Sequence, residues 1–289
     1  MQLFDARLKV HTAFDSCGLV YCVFVREWGI RELGKVIIFV NNISKVNSKT
    51  IVPMIGKEQN TALLTVGKAA LKNADWTDYA NYCFDREKGL RKDAFKHLEK
   101  FIESTEDWTF DKKIDFLKFL FPFFENVQDA DYACFPQPLS DKLVKPTLIK
   151  WCDNEDPDNN PFRWYGKYYR SEDHLFKALE INPTDDLARQ TLLSWWTYNI
   201  YYSVHHLPEG YIGEPLEDIK LGEKIKTEIQ KLSTAQLREY WMNELEEDLE
   251  LVRNYIDWKA SGHSDFEKWG MENKKQTGYG LKRTYYYEE

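Results

Sequence analysis

Apolar positions along this 289-residue chain follow two different rhythms. Over roughly the first 70 residues they come as short dense runs. Leu19 to Val25 and Lys35 to Val40 are rich in Val, Ile, Phe and Tyr and are bounded by Gly or Asn. Such runs predict strands. A third, Thr50 to Ile55, is expected at a sheet edge, because Pro53 cannot donate to a ladder. From about residue 76 the spacing turns helical. Leu90, Ala94, Leu98 and Phe101/Ile102 form one stripe, and Ile114, Leu117, Phe121 and Phe124 form another. Pro122 is expected to kink or end the second helix. Pro136, Pro138 and Pro146 predict a loop and a helix start, and the run Asp153 to Pro161 is irregular by its turn formers.

The clearest helix signals follow. Ser171, Glu172 and Asp173 can open a helix through Glu180, with Leu175, Ala178 and Leu179 inward. Asp185 and Asp186 open the next, carrying Ala188, Leu192, Trp195 and Trp196, and His205-His206-Leu207-Pro208 stops it. A helix over about 219–232 is followed by a long one, capped by Ser233 or Thr234 and reaching about Lys259. Leu237, Trp241, Leu245, Leu249, Val252 and Ile256 make its apolar stripe. Glu239, Glu244, Glu246, Glu247, Asp248 and Glu250 are expected on its remaining surface.

The predicted fold class is therefore mainly α, built of stacked, irregular, repeat-like helix pairs with a small β-containing N-terminal part. Residues 1–75 form that part, which need not fold alone, and residues 76–289 form a helical body. With 43% hydrophobic residues and only 14 Gly and 10 Pro, the chain is neither disordered nor collagen-like. No apolar run approaches the roughly 18 residues of a membrane span.

Charge sharpens the division. Residues 1–75 carry ten Lys/Arg against six Asp/Glu, whereas residues 76–289 carry 29 against 41. An acidic body disfavours nucleic acid, whose phosphates need clustered Lys and Arg. It favours attraction of a basic protein partner, although mild acidity also serves solubility alone. Five Cys, at 17, 22, 83, 134 and 152, share no metal-knuckle or redox-pair spacing. The opening residues lack the order of a secretory signal, so a reduced cytoplasmic protein is expected.

No complete catalytic motif is present. Asp153, Glu155, Asp156 and Asp158 invite calcium, but a loop counted from Asp156 meets Pro161 where Gly is needed and Lys167 where Glu is needed. These acids then form a solvated loop or an anionic contact strip. His205 and His206 point about 100° apart on a helix and cannot readily grip one metal together. They mark a helix end or, in an enzyme of unrecognised type, acid–base groups with Glu209 and Asp153 as partners. Trp195, Trp196, Tyr198, Tyr201 and Tyr202 cannot all face one side. They either pack on two neighbours or line a groove for a protein surface. No metal and no cofactor are expected.

Ala178-Leu179-Glu180-Ile181-Asn182-Pro183-Thr184-Asp185-Asp186-Leu187-Ala188-Arg189 resembles the junction between tetratricopeptide repeats, and Ala94 to Lys100 resembles a second helix of that kind. The resemblance implies helix pairs that bury their apolar faces only by stacking. No regular 34-residue register recurs. The acidic helical body, the ten Trp and 17 Tyr, and the lack of catalytic motifs are similar to bacterial immunity proteins that accompany polymorphic toxins. That likeness implies stoichiometric binding of one cognate toxin domain in the cytoplasm. The alternative is a scaffold that binds several proteins. The candidate partner-binding residues are Glu239, Glu244, Glu247 and Asp248, the loop acids Asp153, Asp156 and Asp158, and the aromatics Trp196 and Tyr202.

Overall fold

The computed structural model describes the backbone of residues 8–14 and 20–26, together with residues 61–127, 129–154 and 158–279. The chain divides into two units, Met1–Lys57 and Glu58–Glu289. In the first, β1 (Leu8–Phe14) pairs antiparallel with β2 (Val20–Arg26), in a register running from Leu8 opposite Arg26 to Phe14 opposite Val20. β2 overlaps the strand expected at Leu19 to Val25. The strands expected at Lys35 to Val40 and Thr50 to Ile55 lie outside the described residues.

The second unit is mainly helical, and its helices begin before residue 76. α1 (Thr61–Ala70) buries Leu63, Val66 and Ala70 and packs on α2 (Thr77–Glu87), so it belongs with the helical body. α3 (Arg91–Ser104) buries the expected stripe except Leu90, which sits just outside the helix and is exposed. α4 (Phe110–Asn126) continues past Pro122. The expected break is absent because Pro122 lies on the exposed side, where water can serve the carbonyl that the ring leaves without a donor. Leu117, Phe121 and Phe124 meanwhile bury the opposite face. Two hydroxyls on α2 tie it to α5 (Ala130–Cys134): Tyr79 donates to the Cys134 carbonyl at 2.8 Å and Tyr82 to that of Ala133 at 3.3 Å. Instead of a loop, the next segment is one helical run. α6 (Gln137–Leu139) leads through a π-turn, Ser140–Val144, into α7 (Lys145–Cys152). Pro138 occupies a first-turn position, where a missing N–H costs no helical bond, and Pro146 follows directly on the π-turn. α1 to α7 enclose one core, closed by Trp164, whose ring stacks on Phe121 at 4.5 Å.

A second core fills the C-terminal half. α8 (Asn160–Tyr169) was masked in the sequence by the turn formers before it. It approaches α9 (Glu172–Ile181) at Gly166, where a Cβ would stand 2.6 Å from Leu175 Cγ. α10 (Asp186–Val204) starts as expected: Asp185 Oδ1 accepts from the N–H groups of Leu187 and Ala188, both at 3.1 Å. α11 (Pro215–Ile229) packs on α10 and on α12 (Ala235–Ser261), whose first turn is capped by Thr234. α13 (Phe266–Asn273) closes on the end of α12. The two cores are bridged by Arg163, which pairs with Glu125 of α4 at 3.1 Å and with Asp185 at 2.7 Å.

Candidate protein-binding surface

The surface with the most recognisable chemistry grows from the second half of α10. The helical period sends Trp196, Ile200 and Val204 into the core. It leaves Tyr198, Tyr201, Tyr202 and His205, spaced three and four apart, half-buried on a neighbouring face. Their rings form a continuous strip: Tyr198 lies 5.9 Å from Tyr201, Tyr202 lies 4.9 Å from His205, and His205 lies 4.0 Å from exposed His206. His205 is held in the strip by its Nδ1, 2.6 Å from the Tyr202 carbonyl. α10 ends at Val204, so the histidine pair does mark a helix end.

The chain beyond α13 extends this surface. Asn254 of α12 donates to the Gln276 carbonyl at 2.9 Å, and Gly278 passes so close to the Leu207 carbonyl that a Cβ would stand 2.7 Å from it. Tyr279 then packs on Tyr201 at 5.5 Å and hydrogen-bonds through its hydroxyl to Asp248. Burial first, then the negative charges of Asp248 and Glu247, hold the Tyr279 hydroxyl far above the usual phenol range. Glu247, the residue before Asp248, is exposed on α12. Burial likewise raises Tyr198 and Tyr201, so the strip presents neutral phenols.

The sequence candidates separate accordingly. Glu239 and Glu247 are exposed on α12, and Glu244 is half-exposed beside Tyr240. Asp248 departs from the expectation. It falls three residues after Leu245 and four before Val252, on the inward stripe, and is only 2% exposed. Trp196 is likewise a core residue, and its Nε1 donates to Glu172 at 2.9 Å while Lys224 lies 3.8 Å above the ring. Tyr202 stays on the surface. Asp153 is exposed after α7, and Asp158 accepts from the Asn160 N–H at 2.9 Å, opening α8. Asp156 lies outside the described residues. Nothing in the local sequence marks Tyr279, whose partners Tyr201 and Asp248 lie far away along the chain.

Among the described residues no group of three or more His, Cys, Asp or Glu could hold a metal ion, and no helix is long and apolar enough to cross a membrane. Comparison with family models, with curated proteins and with solved structures finds no match to the chain.

Proposed function

We propose that this chain is a stoichiometric protein-binding module for a basic partner, acting in the cytoplasm as an immunity protein that occludes a cognate toxin domain. The observation that carries the reading is the strip Tyr198, Tyr201, Tyr202 and His205, extended by Tyr279. Tyr anchors supply large contact area for little lost conformational freedom, and partly buried rings are already held in place for a partner. Carboxylates along α12, at Glu239, Glu244, Glu247 and Glu250, complement a basic surface and steer its approach. The helical likeness to tetratricopeptide junctions belongs to this proposal as a way of presenting such a face.

The test is capture from the native cytoplasm at low and high salt, followed by kinetics and toxicity rescue with the captured partner. One basic partner at one-to-one stoichiometry is expected. The combined E239K, E244K and E247K changes should slow association about tenfold while leaving the melting temperature in place, as steering charges act mainly on the on-rate. Tyr202→Ala should weaken the complex by about 2 kcal/mol, in the range of an aromatic anchor. Several weak partners would favour a scaffold, and unchanged kinetics in both variants would remove this surface from consideration.

A further inference from the structure

We infer that a lysine-rich cleft in the other half of the helical unit is a binding site for a phosphate-class anion. The cleft, of about 180 Å³, opens between the start of α4 and the π-turn–α7 segment. Trp108, Phe110 and Thr147 line it together with Lys113 of α4, Lys142 of the π-turn and Lys150 of α7. Neither Asp nor Glu contributes to the lining. None of the three ammonium groups joins an ion pair with a described carboxylate, whereas the adjacent Lys112 is held at 2.7 Å by Asp75.

On a chain of net charge −8, this is a local reversal of sign. Three like charges around one recess repel one another wherever they come within about a Debye length, roughly 8 Å at physiological ionic strength. A compact anion of charge −2 relieves that repulsion, and aromatic walls strengthen its attraction by excluding water. Lys150 already rests 4.5 Å from the Phe110 ring centroid, which holds its stem across the cleft. The π-turn displaces Lys142 and Leu143 from regular helical positions at the rim, and such turns concentrate at functional sites. The charge and size fit inorganic phosphate or the phosphate of a small monoester. This site shares no residue with the proposed partner surface.

Calorimetry on the full chain at low salt, with inorganic phosphate, AMP, adenosine and sodium chloride, tests it. Phosphate and AMP should bind and adenosine should not. AMP binding tighter than phosphate would mark a monoester as the ligand, and equal affinity would mark free phosphate. The double variant K142Q/K150Q should lose at least about tenfold in affinity, since each contact is a charge-assisted hydrogen bond. The control K220Q/K231Q, on α11 and beyond, should bind as the parent does. Should K142Q/K150Q lose its melting transition, K113Q alone must still weaken binding. The inference is overturned if neither anion binds, if adenosine binds as well as AMP, or if the lysine variants bind like the parent chain.

Discussion

The hydroxyl of Tyr279 donates to the buried carboxylate of Asp248, fastening the segment after α13 to the middle of α12. A carboxylate at 2% exposure is tolerated only where donors replace its water. Tyr279→Phe should therefore cost about 1–3 kcal/mol in urea denaturation, the range for a buried acceptor that loses a partner. It should also loosen the rim of the tyrosine strip, lowering partner affinity more than Tyr240→Phe does. An unchanged urea midpoint would show that the other contacts of Asp248 suffice.

Arg163 makes a polar connection between the two cores. Its guanidinium spans Glu125 and Asp185, while Trp164 Nε1 also donates to Glu125 at 2.8 Å and Asn159 to Asp185 at 2.6 Å. Arg163→Gln leaves two largely buried carboxylates short of a cation and should cost about 3–5 kcal/mol. Arg163→Lys retains the charge without the two-sided fork and should fall in between. Denaturation followed by tryptophan fluorescence and by circular dichroism should stay coincident in the parent and separate in Arg163→Gln, as the two cores lose their coupling.

Gly166→Ala sets helix propensity against space. Alanine should gain about 1 kcal/mol in a helix interior. Its Cβ, however, would stand 2.6 Å from Leu175 Cγ and 3.0 Å from the Leu175 backbone nitrogen, so α8 and α9 must part. Overpacking of this kind costs about 1–3 kcal/mol, and the melting temperature should drop. A rise would mean that α9 shifts without penalty.

Cys152 titrates late. Burial, reinforced by the negative charge of Asp153, pushes its thiol up to about 12 from an ordinary value of 9.0. Between those values the folded chain holds a proton that the unfolded chain has released, so this group's contribution to stability falls as pH rises from about 9 to about 12. At pH 8 the native thiol should react with Ellman's reagent far more slowly than in urea. Asp153→Asn should lower its midpoint, and native reactivity equal to that in urea would contradict the burial argument.

Local pattern alone located the helix starts at Asp185 and at Ser233 or Thr234, of which Thr234 makes the cap, and the inward stripe of α12, because a cap needs only its own first turn and a stripe only its own periodicity. The same reasoning misplaced Asp248, where a run of acids was read as one block although the 3.6-residue period turns that position toward the core. It also expected α4 to kink or end at Pro122, although the helix continues to Asn126, because the cost of a proline depends on which side the packing leaves to water.

The sequence by itself determined the mainly helical class from about residue 76 onward, the caps of α10 and α12 and the inward stripes of several helices, all of which are written in neighbours a few residues apart. Tertiary structure alone decided that Tyr279 meets Tyr201 and Asp248, and that Arg163 spans two cores. It also gathered Lys113, Lys142 and Lys150 around one cleft within an acidic body. Summed charge erases such a cluster, and periodicity gives a side chain's direction about its own helix. Which distant residues converge depends on how whole helices pack, and that is settled by the shapes of the two cores together.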